Sequence, residues 1–307
     1  MNYPMTGTFF QGALMAEPGS GKIPVRESVV AAWRFLFAHW TMFLPACLMV
    51  GLASVVAVYL LGGGGTTAEG EPVMNGPAML LGALIDLVIG SMFAAAVLRK
   101  AVRNEFTGAA GLTFGPDEIR LIGVQVSLFL LIAPIVLLVF LAVFFIAVGR
   151  LSASSEDLSR LLSNPESLGD ALSSALGPGG SLLFFLFMML CFWVVLLVSV
   201  RLSLISAATI GERRAVVFQT WAWSQGNVFR LFAAIVLTVL PAALVSSLIE
   251  AVIGGLLGGE NAAPPPLIQR AVIAGVAGTL SAVLSIPSLA LAAHLYLGLR
   301  PRDFQAK

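Results

Sequence analysis

The chain has 307 residues, of which 58% are hydrophobic and only 11% charged, with a net charge of +1 and a mean hydropathy of +0.96. Soluble domains carry about 25% charged residues, so this composition excludes a water-soluble globular fold and specifies a polytopic integral membrane protein. It also leaves no basic, aromatic-laced surface of the kind that binds nucleic acid.

Residues 1–22 lack an early basic region and a sustained apolar core. No cleavable signal peptide is therefore expected, and the stretch reads as a flexible tail. Pro24 then opens a helix on which Val29, Ala32, Trp33, Leu36 and Phe37 share one face, with Glu27 and Arg34 opposite. That pattern predicts an interfacial helix lying flat on the membrane before the first span.

A spanning helix takes about 20 apolar residues, because about 30 Å must be crossed at about 1.5 Å per residue. Six segments qualify: residues 40–61, 78–98, 121–149, 181–206, 228–257 and 271–297. Gly115, Pro116, Asp117 and Glu118 form a helix start with two acids at the positive end of the dipole, so the third span is expected to begin early, at Pro116. On the opposite side, residues 62–77 read as a flexible glycine-rich connection and residues 259–266 as a stiff, proline-ended turn. Residues 150–180 contain a second helix start at Asn164, Pro165 and Glu166. Leu168, Leu172 and Leu176 follow at four-residue spacing, and Gly177 is placed as a stop. This predicts a short outer amphipathic helix. Residues 212–225 are a less cleanly divided amphipathic segment, with Arg213, Thr220 and Ser224 on a polar stripe and Ala215, Phe218 and Ala222 on an apolar one. A membrane surface and burial beneath the bundle suit it equally.

Fourteen of the seventeen Lys and Arg residues fall on the side of the two termini, leaving Arg150, Arg160 and Arg270 on the other. The positive-inside rule puts both termini in the cytoplasm. Pro45, Pro134 and Pro241 recur in the odd-numbered spans, each after a cytoplasmic helical start, which suggests three hairpins in one orientation. The expected fold is thus all-α: a single membrane domain over residues 1–307, with six transmembrane helices in three parallel-oriented hairpins, cytoplasmic interfacial helices and the short outer helix.

Two segments carry a resemblance. RLSLISAATIGERRAVVFQTWAWSQGNVFRLFAAIVL, from Arg201, and FGPDEIRLIGVQVSLFLL, from Phe114, resemble parts of uncharacterised bacterial six-helix membrane proteins, including the membrane domain associated with glycerophosphoryl diester phosphodiesterases. The resemblance implies a six-helix module in a bacterial inner membrane. It does not imply catalysis, because those phosphodiesterases carry a separate soluble barrel, whereas only ten residues follow Leu297 here.

An ionisable group at the centre of a span costs about 2.5–3.5 kcal/mol on insertion scales. Asp86 is the one acid well inside a span and Arg201 lies near the inner end of the fourth. Together they are the candidate intramembrane polar site. Asp86 could couple ions or protons, or be an acid hydrogen-bonded to neighbouring helices or kept protonated. Arg201 could pair with it, bind a lipid phosphate or snorkel to the cytoplasm. Glu250 reads as interfacial. His39 and His294 fall near helix ends without further metal ligands, and Cys47 and Cys191 read as buried hydrophobes. Neither a Walker loop nor an HExxH, GxSxG or CxxC motif is present. No catalytic residue, cofactor or metal is expected. The reading is a non-enzymatic protein that organises or assists membrane lipids or other membrane proteins; the alternative is a small-solute or lipid transporter using Asp86 and Arg201.

Overall fold

Pro24 and Pro116 each stand where the sequence starts a long helix, and both helices form. The computed structural model describes residues 22–62, 76–108, 110–151, 165–257 and 266–300. Within them lie α1 (Val25–Gly62), α2 (Gly76–Arg103), α3 (Pro116–Leu151), α4 (Pro165–Leu202), α5 (Ile205–Glu212), α6 (Gln219–Trp223), α7 (Val228–Leu257) and α8 (Leu267–Leu299). No strand occurs among the described residues. Six segments, carried by α1, α2, α3, α4, α7 and α8, are long and apolar enough to cross a membrane. The chain is a multi-pass membrane protein.

Three local expectations are corrected. The first is the separate surface helix before the first span. It is instead the opening of one unbroken 38-residue helix, α1, in which Ser28 closes the first turn by donating to the Pro24 carbonyl at 2.9 Å. The expected apolar face is split: Ala32 and Leu36 are buried against the protein together with Ser28, Ala31 and Phe35, while Phe37 is 70% exposed. Small residues such as Ala31 and Ala32 on this side let helices close up.

The second correction is the short outer helix. Gly177 does not stop it, and α4 runs continuously from Pro165 to Leu202. A membrane segment must satisfy its backbone polar groups within the helix, which overrides the weak helix propensity of glycine even though the neighbouring Pro178 has no N–H to donate. The third is the segment 212–225, which is not one amphipathic helix. α5 ends at Arg213 in a left-handed conformation (φ 53°), and only five residues, Gln219–Trp223, re-form helix. Its polar stripe is buried at Thr220 and Ser224, while Phe218 is 69% exposed. Both hydroxyls donate within the turn: Thr220 to the Val217 carbonyl at 3.2 Å and Ser224 to that of Trp221 at 3.0 Å. The connections expected at 62–77 and 259–266, and the tail 1–22, lie largely or wholly outside the described residues.

The chain divides into two compact units. In the first, Met1–Val124 with Arg201–Lys307, α1 packs most extensively on α8 and next on α2. The α1–α8 contact is built on small residues. A Cβ on Gly51 would lie 2.0 Å from Thr279 Oγ1 and 2.5 Å from the Gly275 carbonyl oxygen; one on Gly278 would lie 2.4 Å from Ser54 Oγ. Gly275 and Gly278 thus serve close helix packing, as small residues do between membrane helices. The buried core concentrates at one end of this unit, in Phe35, Phe43, Leu98, Leu121, Leu204, Ile205, Ile210, Leu231 and Tyr296. The second unit, Gln125–Val200, holds most of α3 and α4. It presents large apolar side chains outward, among them Phe129, Leu130, Leu138, Leu190 and Phe192.

Candidate functional site

The well-packed end of the first unit is also its polar end. α1 and α7 begin there, α2 and α8 finish there, and the connections 104–115 and 213–227 cross it. Asn104 takes a left-handed conformation just past α2, a position that favours Asn or Gly, and Lys100 Nζ donates to its side-chain oxygen at 2.7 Å. Gly108 and Gly111, both at positive φ, turn the chain back, with Gly111 beneath the Phe106 ring. Phe106 packs edge-on against Phe43 of α1, with ring centroids 5.7 Å apart.

This return brings the acidic start of α3 onto the basic end of α2. Arg99 and Glu118 form a buried ion pair. Glu118 Oε1 also accepts from Thr113 Oγ1 at 2.9 Å, and Oε2 from the Gly115 N–H at 2.9 Å. The last bond is half of a capping box, so one carboxylate both closes the N-terminus of α3 and neutralises a buried arginine. Arg99 donates a further bond to the Gly111 carbonyl at 3.2 Å. Asp117 pairs with Arg103 and, at 3.0 Å, with Arg120. Glu105 then bridges Arg103 at 3.1 Å and Arg213 at 3.2 Å. A continuous alternation of charge runs from α3 across α2 to the turn after α5.

A second cluster fastens α8 to α5. Glu212 accepts from the Tyr296 hydroxyl at 2.7 Å and pairs with Arg300 at 2.8 Å. Gly211 makes this possible, since a Cβ there would lie 2.5 Å from the Tyr296 ring. Trp223 packs on Tyr296 at 6.1 Å. At the start of α7, Asn227 Oδ1 accepts from the Ile23 N–H and Arg230 donates to the Ile23 carbonyl, both at 3.3 Å, which fixes the entry of α1 against that of α7.

The two residues singled out in the sequence are not brought together. Asp86 is exposed on α2, thirteen residues or about 20 Å along the helix from Arg99. Arg201 is half-buried with its guanidinium 4.5 Å from the Trp221 ring centroid, and no ion pair joins it to Asp86 among the described residues. His39 bonds the Phe35 carbonyl through Nδ1 at 3.1 Å and its ring lies 4.7 Å from that of Phe35. His294 is buried. Among the described residues no three His, Cys, Asp or Glu side chains are grouped to hold a metal ion. Cys47 is buried and Cys191 partly so, and both are free thiols. The side chain of Glu250 lies outside the described residues.

Sequence reasoning reached Asp117 and Glu118 as helix-dipole acids but not as ion-pair partners. The available signal was the i, i+4 pair Arg99 and Arg103 at the end of one helix, followed after a short glycine-turned connection by two acids opening the next. No protein-family model, curated protein or solved structure matches the chain. Its own residues support an integral multi-pass membrane protein whose first unit gathers its ion pairs at one end.

Proposed function

We propose that this is a non-enzymatic component of a bacterial inner membrane, with its polar end in the cytoplasm, that organises or assists other membrane proteins or lipids. The observation that carries the reading is the use made of charge. Glu105, Asp117, Glu118 and Glu212 are each held by arginines from other elements or turns and tie helix ends together. Carboxylates so engaged serve architecture, whereas acid–base chemistry needs one within reach of a substrate proton. The resemblance of the segments starting at Phe114 and Arg201 to bacterial six-helix membrane modules supports the same reading. A transporter coupled through Asp86 and Arg201 needs both on one polar path, and the separate settings of the two residues do not favour it.

The test is co-purification of the full chain from mild detergent, with bound proteins and lipids identified by mass spectrometry. A partner or lipid class retained at a fixed ratio is the expected result. A chain that comes away alone while reconstituted vesicles show solute flux would sink the proposal.

A further inference from the structure

The arginines at the polar end differ in their partners: Arg26 is exposed at the start of α1 and Arg214 donates to the Gln219 side chain at 3.3 Å. Arg99, Arg103, Arg120, Arg213 and Arg300 each pair with a carboxylate. Arg34, Arg201 and Arg230 do not pair with any carboxylate among the described residues. These three sit on different elements, and each has aromatic surface beside it. Arg34 is exposed on α1 one turn before Phe37, which is 70% exposed and stacks with Trp33 at 6.3 Å. Arg230 follows Phe229, which is 81% exposed, and the Ile23 carbonyl takes only one of its N–H groups. Arg201 lies over Trp221, itself partly exposed.

The depth of Arg34 can be read from α1 and that of Arg230 from α7. The exposed face of α1 runs from Arg34 through Phe37 and Trp40 to Leu44, Leu48, Leu52, Val56 and Tyr59. Trp40 and Tyr59 are nineteen residues apart, about 28 Å, which matches the hydrocarbon thickness of a bilayer and the habit of aromatics to mark its edges. Arg34 then stands about 9 Å beyond Trp40, at headgroup level. On α7, Arg230 stands seven residues, about 10 Å, before Leu237, where the exposed apolar run begins.

We infer that Arg34, Arg201 and Arg230 form a collar that holds the phosphate headgroups of anionic phospholipids. Guanidinium groups match phosphate oxygens in pairs, and the neighbouring rings suit the boundary between headgroup and chain. The inference gives a chemical class to the lipid in the reading above and rests on the membrane placement that reading assumes. Reconstituted protein tests it whichever way the chain is threaded in a cell and whatever else co-purifies with it.

The experiment measures thermal unfolding and lipid retention by native mass spectrometry for the full chain in detergent, with phosphatidylglycerol, phosphatidylcholine or inorganic phosphate added. Phosphatidylglycerol is expected to bind and stabilise preferentially. Each arginine replaced by glutamine should weaken that preference about fivefold, and Arg270→Gln, at the opposite end, should leave it intact. Arg34→Gln alone, at an exposed position, guards against a triple variant that fails to fold. Equal responses to the two lipids, an undiminished preference in Arg34→Gln and the triple variant, or the same stabilisation by inorganic phosphate would each overturn the inference.

Discussion

Glu118 shows how much one side chain settles at this end of the molecule. It is fully buried, accepts from Thr113 and the Gly115 N–H, and faces a buried Arg99. Two buried charges do not stabilise a fold merely by meeting, because desolvation offsets most of their attraction. Breaking the pair is another matter, since the survivor is left charged, buried and without its partner. Glu118→Ala is expected to cost about 3–5 kcal/mol, with the capping bond lost as well. Glu105→Ala is expected to cost less than about 1 kcal/mol, because that carboxylate is 41% exposed and water screens it. Replacing both partners, as Arg99→Met with Glu118→Leu, should recover much of the loss. Denaturant unfolding in micelles checks all three. Equal losses for Glu118→Ala and Glu105→Ala would show that burial does not set the energy here.

At the scale of the element, the spans were readable because their signal is compositional. A run of about 20 apolar residues has few alternatives to crossing a bilayer as helix, and residues 228–257 coincide with α7. Amphipathic patterning was a weaker guide at α1 and at 212–225, where the helix boundaries differ from the expected ones and the buried side mixes polar and apolar residues. Phe37 and Phe218 face out while Ser28, Thr220 and Ser224 are buried along with Phe35 and Leu36, and deeper along α1 the contact is made by glycine. Small residues are the better guide to a buried face there, and Gly51 against Gly275 and Gly278 makes the point. Gly51→Ala places a Cβ 2.5 Å from the backbone oxygen of Gly275, where no side-chain rotation gives relief, so α1 and α8 must separate. A loss of about 1–3 kcal/mol is expected, as for other overpacked sites. Gly90→Ala meets nothing within 4 Å and should be neutral or slightly stabilising through helix propensity. Thermal unfolding of the two variants side by side decides this; a tolerated Gly51→Ala would mean the contact is looser than its geometry.

For the whole molecule, charge supplies a vector that helix lengths alone do not. Arg99, Lys100, Arg103, Arg120, Arg213, Arg230 and Arg300 belong to one end of the first unit, and Arg270 sits at the start of α8 at the other. What the sequence could not show is how that excess is divided. A count of Lys and Arg treats all of them alike, yet five arginines are paired with four carboxylates and serve to join helix ends. Orientation by the positive-inside rule acts on the chain as it inserts, before those pairs form, so the full count remains the relevant one. The polar end is therefore expected in the cytoplasm. Cysteine labelling tests this in a background with Cys47→Ala and Cys191→Ala. Thr107→Cys lies on an exposed turn at the polar end and Ile268→Cys on an exposed position at the start of α8. In intact spheroplasts an impermeant maleimide should modify Ile268→Cys and spare Thr107→Cys until the membrane is opened. The reverse pattern would put the ion-pair clusters and the arginine collar on the outer face, and the charge count would then not be what orients this chain.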